Sequence, residues 1–216
     1  GIPLQERPGI NAEQTIWFDT VYAYTHDGSN FNEYLATGTG ASTATWDGSN
    51  SDFFWGTNYR GSDAETRLFF VTNFFLSAGS PMRYSDNATW TTFAPTLDAA
   101  LTTQLFSARI LIPYYGRLLA LNTWEGLNIG AAVNIYNRCR FSQIGSPVQS
   151  DAWHSDVFGK GGFIDAPINE DIISATFYKN TLIVQFERST WRLQYIGEYG
   201  IPFIWERISS DFGSES

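Results

Sequence analysis

The chain has 216 residues, 43% of them hydrophobic and 17% aromatic, with a net charge of −9 and a single cysteine, Cys139. A chain of this size buries a sizeable core without disulfides or metals. Its acidic balance excludes a basic nucleic-acid footprint and an anionic membrane surface as a partner. One cysteine forms no intrachain disulfide, and with only two histidines it offers too few ligands for a His/Cys zinc site. No metal or other cofactor is expected, and no run of about 18 apolar residues suggests a membrane-spanning helix.

Aromatic and β-branched residues fit pleated, half-buried surfaces, so the composition favours strands. Residues 15–25 read as one long strand. Asp27-Gly28 follows, a hairpin dipeptide suited to φ > 0 at both central positions, with 32–37 as the return strand. Asp47-Gly48 marks another tight turn. Residues 67–75 read as a strand bounded by the small residues of 77–81, and 82–84 and 89–93 flank a hairpin at 85–87. One window, 95–105, carries a helical signal: Leu97, Leu101 and Leu105 recur four apart, and Ala99 and Ala100 favour helix. It reads as a short helix or a turn.

The C-terminal half repeats one layout. Residues 108–114, the turn Tyr115-Gly116 and residues 117–124 match residues 172–178, the turn Lys179-Asn180 and residues 181–187. A further turn at Arg188-Ser189 leads into 190–195, and the turn at 197–200 leads into 203–208. Residues 172–208 therefore give four short strands in succession, about the 40 residues of one propeller blade. The fold class expected is all-β, a β-propeller-like array of antiparallel four-stranded blades. Residues 1–216 form one such array or a segment of a larger one, with 1–104 assigned by turns and aromatics alone and 105–216 better defined. At about 40–50 residues per blade the chain supplies roughly four or five. Phe212-Gly213 reads as the start of a further strand, so the array is expected to be incomplete here. The opening Gly1 in place of Met points to a processed chain or a fragment.

Three stretches carry a family resemblance: 116–122 (GRLLALN); 137–142 (NRCRFS) with Pro147 and Trp153 downstream; and 162–167 (GFIDAP) followed by 186–197 (FERSTWRLQYIG) and Pro202-Phe203. In this order they resemble the β-propeller proteins of tailed-phage tails, the nozzle or packaged-DNA stabilisation proteins of short-tailed phages. The resemblance spans roughly residues 105–213. It implies a virion tail component, assembled with copies of itself into a ring, a hexamer in the family. It also implies contact with a tail adaptor and transient contact with exiting DNA, in a mechanical rather than enzymatic role. In the family the segment after Pro202-Phe203 leads into further blades, whereas here only residues 209–216 follow.

Other motifs have simpler readings. The Asp-Gly-Ser-Asn repeats at 27–30 and 47–50 lack the spaced acids of a calcium loop and read as hairpin turns. Asp165, Glu170 and Asp171 suggest a glycosidase acid pair. However, neighbours in a strand point to opposite faces, and solvated loop acids are the better reading. His154-Ser155-Asp156 suggests a triad but lacks a nucleophile elbow, and Trp153-His154 reads as a loop anchored by tryptophan. Asn87-Ala88-Thr89 matches a glycosylation sequon and equally a hairpin turn. Arg138 and Arg140 alternate about Cys139, which puts both on one strand face. They are the candidate subunit- or DNA-contacting residues, set against an exposed face with intrachain ion pairs. No catalytic residue is assigned. The alternative function, from a different class, is a carbohydrate-binding or glycan-processing propeller.

Overall fold

The computed structural model describes residues 2–4, 14–26, 29–33, 45–49, 52–60, 67–85, 90–198 and 200–214. The chain is all-β. Among the described residues the strands form four antiparallel sheets of four, each an up-and-down meander in chain order. The first sheet comprises β1 (Ile2–Leu4), β2 (Gln14–Phe18), β3 (Ala23–His26) and β4 (Phe31–Glu33). The second comprises β5 (Trp55–Arg60), β6 (Arg67–Thr72), β7 (Arg83–Ser85) and β8 (Trp90–Thr92). The third comprises β9 (Gln104–Tyr114), β10 (Arg117–Gly126), β11 (Val133–Phe141) and β12 (Gly162–Asp165). The fourth comprises β13 (Ile172–Tyr178), β14 (Thr181–Phe186), β15 (Thr190–Tyr195) and β16 (Phe203–Ser209). Among the described residues the one helical element is a 3-10 turn, Ile129–Ala131, in the β10–β11 connection.

Three apolar layers bind the sheets face to face. Ile16, Ala23 and Trp46 meet Phe69 and Val71 between the first and second sheets. Leu68 and Phe70 turn the other way and meet Leu105, Ala108, Leu111, Leu118 and Ala120 of the third. Ile110, Ile112, Leu119 and Leu121 then face Leu182, Val184, Phe186, Trp191 and Leu193 of the fourth. Successive strand residues point to opposite faces, so residues 68–71 of β6 and 118–121 of β10 are apolar without interruption because both of their faces are covered. The first strands follow one another as well, β1 beside β5, β5 beside β9 and β9 beside β13.

Several sequence expectations need correction. Residues 15–25 are two strands. The Asp19 carboxylate accepts hydrogen bonds from Val21 N and Tyr22 N, both at 2.6 Å, and folds the chain back on itself. The strand expected over 67–75 stops at Thr72, with Phe74 at φ 55. Over 95–105, read as a short helix or a turn, the turn is what forms. Asp98 accepts from Thr102 N at 2.9 Å and Thr103 N at 2.7 Å, closing the turn, and Leu105 joins β9. Asp47-Gly48 lies in the connection between the first and second sheets, not in a hairpin. There the Asp47 backbone carbonyl accepts from Asn73 Nδ2 at 3.1 Å and the Ser80 hydroxyl at 2.7 Å. The return strand expected over 32–37 is described only as β4. Asp27-Gly28 lies outside the described residues, as does the sequon at 87–89, although β3 pairs with β4 and β7 with β8.

Candidate functional site: a buried charge cluster on the third sheet

Arg138 and Arg140 stand on β11, and their partners lie within the same sheet. Glu125, 3% exposed, sits between them. Arg140 Nε donates to Glu125 Oε1 at 2.8 Å and Nη2 donates to Oε2 at 2.7 Å, a bidentate pair. Arg138 Nη1 donates to Glu125 Oε2 at 3.0 Å. Arg138 also grips Asp165 on β12, Nε to Oδ1 at 2.7 Å and Nη2 to Oδ2 at 2.9 Å. The Thr123 hydroxyl donates the sixth bond to this carboxylate pair, at 2.7 Å to Glu125 Oε1. Above both guanidinium groups lies the Phe163 ring, 4.0 Å from Arg138 Cζ and 5.0 Å from Arg140 Cζ.

A kink in β10 creates this cluster. Leu119 and Leu121 face the fourth sheet. By strict alternation Thr123 and Glu125 would follow them. The β10–β11 register slips between Leu121 and Thr123, where Asn122 takes φ 55. That irregularity hands Thr123 and Glu125 to the opposite face, the one shared by Ala120 and Arg140. Asn122 is fully buried and tied down, donating to Ile172 O at 3.1 Å and accepting from Asn134 Nδ2 at 2.8 Å.

Burial by itself pushes the Glu125 carboxyl up. The hydrogen bond and charge of Arg140, the Thr123 hydroxyl and the charge of Arg138 outweigh it and hold the carboxyl below the usual range. Burial opposes charge on Arg138 too, and Asp165 and Glu125 reverse that, raising it. Cys139, between the arginines and facing the other way, is fully buried, and burial pushes its thiol up, with the charge of Asp165 adding to it. The cluster joins two cations to two carboxylates. Arg140 Nη1 is the one atom in it left buried without a partner. Arg140 is 4% exposed and Phe163 44%, so the aromatic lid, not the inner guanidinium, meets solvent.

The other candidate groups are dispersed. His154 is buried, with Nε2 2.9 Å from Thr96 Oγ1. The Ser155 hydroxyl donates to Leu97 O at 3.2 Å, and Asp156 accepts from Ala99 N at 3.0 Å. All three therefore pin the 142–161 loop to the turn before β9. Trp153, fully buried and donating to Pro147 O at 2.8 Å, anchors that loop. Gly161 is required here, because a Cβ would lie 2.6 Å from Trp153 Cα and 2.7 Å from Phe141 O. Glu170 Oε2 accepts from the Ser189 hydroxyl at 2.9 Å and Arg188 N at 3.1 Å. Burial, then the charge of Glu187, raises the carboxyl of Asp171 against the pull of Arg109. Asp165 is committed to Arg138. Among the described residues no group of three or more His, Cys, Asp or Glu is placed to hold a metal ion. Sequence reasoning missed Glu125 and Phe163, since period two assigns Glu125 to the wrong face. No protein-family model matches the chain, and no curated protein matches it in sequence.

Proposed function

We propose that this chain is a structural component of a phage tail, a nozzle-type ring that helps close the DNA channel, retain packaged DNA and allow its ejection. Four meander sheets succeed one another in chain order, with each apolar layer shared by consecutive sheets. That succession is the observation that carries the reading, because it is how propeller blades are laid down. The resemblance adds to it. Residues 116–122 cover the first part of β10, 137–142 the end of β11, and 186–197 the β14–β15 turn with β15, all in the third and fourth sheets.

In this reading β1, β5, β9 and β13 are the inner strands of successive blades, and an acidic chain of net charge −9 lines a passage that does not hold DNA. The role is mechanical, with copies of the chain, a tail adaptor and transient DNA as partners in the virion. The internally matched arginine cluster stiffens a blade's outer half. Two measurements test the proposal: negative-stain imaging and sedimentation of the purified chain, and immunogold labelling of tailed particles with an antibody to it. Rings, and label at tail tips, are expected. A dispersed monomer together with unlabelled tails overturns the reading.

A further inference from the structure

At the turn end of the third and fourth sheets a cleft of about 570 Å³ opens, within the roughly 300–1,000 Å³ of small-molecule sites. The end of the 142–161 loop forms one wall, the β15–β16 connection the other, and Arg117, Phe141 and Tyr195 line it between them. Two features give it aromatic surface. Phe158 stands 81% exposed on the lip. The Tyr195 ring is held in place by a stack on Tyr115, with centroids 4.1 Å apart and planes 14° from parallel. Tyr115 makes that stack from φ 48, a region that bulky side chains rarely adopt.

The polar groups are mixed in sign. Arg117 Nη1 is fixed by Ser142 O at 2.6 Å and Lys160 O at 3.4 Å, while Arg117 Nε is buried with no partner, so the guanidinium is one acceptor short. Lys160 is already matched by Asp151 at 2.8 Å. Asp156 and Glu198 bring negative charge to the same cleft. Gly159 and Gly200 take φ 81 and φ 93 and have no atom within 4 Å of a would-be Cβ, so both loops leave open space at the cleft. Two carboxylates repel phosphate and polyanions. Ring faces beside carboxylate, guanidinium and amide groups suit a neutral ligand with one apolar face and many hydroxyls.

We propose that this cleft binds a short neutral saccharide, one or two pyranose rings, with a sugar face against Phe158 and hydroxyls shared between Glu198 and Arg117. The proposal does not depend on ring assembly, so the two fail separately: rings without sugar binding sink only this one. The test is saturation-transfer NMR and calorimetric titration of the purified chain with maltose, cellobiose, lactose and diacetylchitobiose, with ATP and a heparin disaccharide as anions. Saturable binding of at least one neutral disaccharide is expected, with Kd on the order of 1 mM. Phe158→Ala, at an exposed position that leaves folding intact, is expected to weaken it about tenfold or more, and Glu198→Gln a few-fold. No saturation by any of the four up to roughly 50 mM, preference for the anions, or indifference to Phe158→Ala each overturns the proposal.

Discussion

The third and fourth sheets share topology and turn layout but differ in how they are covered. In β10 the neighbours Leu118 and Leu119 are both fully buried, one toward the second sheet and the other toward the fourth. In β14 burial alternates, with Leu182, Val184 and Phe186 inward and Thr181, Ile183 and Gln185 only half-buried. A continuous aliphatic run thus reports a sheet with neighbours on both faces, and an alternating one reports a sheet with a single neighbour. The third sheet carries a second distinction, since its β10–β12 portion holds a buried ionic cluster where the corresponding pair of the fourth, Arg192 and Glu206, is exposed at 2.6 Å.

The largest effect should come from that ionic contrast. Glu125→Ala leaves two guanidinium groups beside an empty site in a buried setting, and breaking a buried pair costs about 3–5 kcal/mol. For a chain of this length that lowers Tm by about 10 °C. Glu206→Ala, removing half of an exposed pair, should cost under about 1 kcal/mol. Denaturant unfolding of both variants checks the pair. A loss below about 1 kcal/mol for Glu125→Ala would show that the cluster is solvated.

Next come the apolar layers. Leu118→Ala and Leu119→Ala, adjacent in sequence, should each cost about 2–5 kcal/mol, because each opens a cavity in a different layer. Leu182→Ala should fall in the same range. If either β10 variant melts within 2 °C of the parent, the third sheet is not covered on both faces.

Acid should separate the two sheets in opposite directions. Glu125 has a carboxyl depressed by its arginines, so its contribution is present above the unfolded value of about 4.3 and is lost as pH falls through the lower folded value. Asp171, just before β13, has a carboxyl raised by burial and by Glu187. Its proton is held more tightly when folded, so it adds stability as pH falls through that raised value. Stability measured between about pH 6 and pH 3 should therefore fall less steeply in Glu125→Gln and more steeply in Asp171→Asn than in the parent. Parallel curves for all three would refute both assignments.

Much of the fold was legible wherever local chemistry and pattern agreed. The turns at Tyr115-Gly116 and Lys179-Asn180 joined the strands expected, with Tyr115, Gly116 and Lys179 at positive φ. The strands read over 172–208 formed one meander. Legibility failed where a side chain overrode the pattern. Asp19 broke an unbroken run of strand formers by capturing two backbone N–H groups. The leucines of 97–105 kept helical spacing, yet Asp98 captured the amides that a helix needs. β12 lay beyond the 142–161 loop, so its pairing with β11 was invisible to any local rule. At the candidate site the arginine face was readable from alternation, but the carboxylate between the arginines was not, since the kink at Asn122 reverses the face on which Glu125 emerges.

The smallest expected effect is the sharpest test of one-sided cover. Ile183 sits in β14 between two fully buried neighbours, Leu182 and Val184, and pairs with Thr176 and Arg192 on the outward face. Threonine keeps the β-branched shape and the strand preference while replacing the ethyl arm with a hydroxyl that water satisfies. On a face open to solvent, Ile183→Thr should cost about 0.5 kcal/mol or less, the usual range for a surface change. On a covered face the hydroxyl would be buried without a partner, at about 1–3 kcal/mol. Unfolding measured at two protein concentrations separates the cases. A small, concentration-independent loss keeps the fourth sheet one-sided. A loss above about 1.5 kcal/mol that shrinks on dilution would show another chain packed on this face, making the fourth sheet as two-sided as the third.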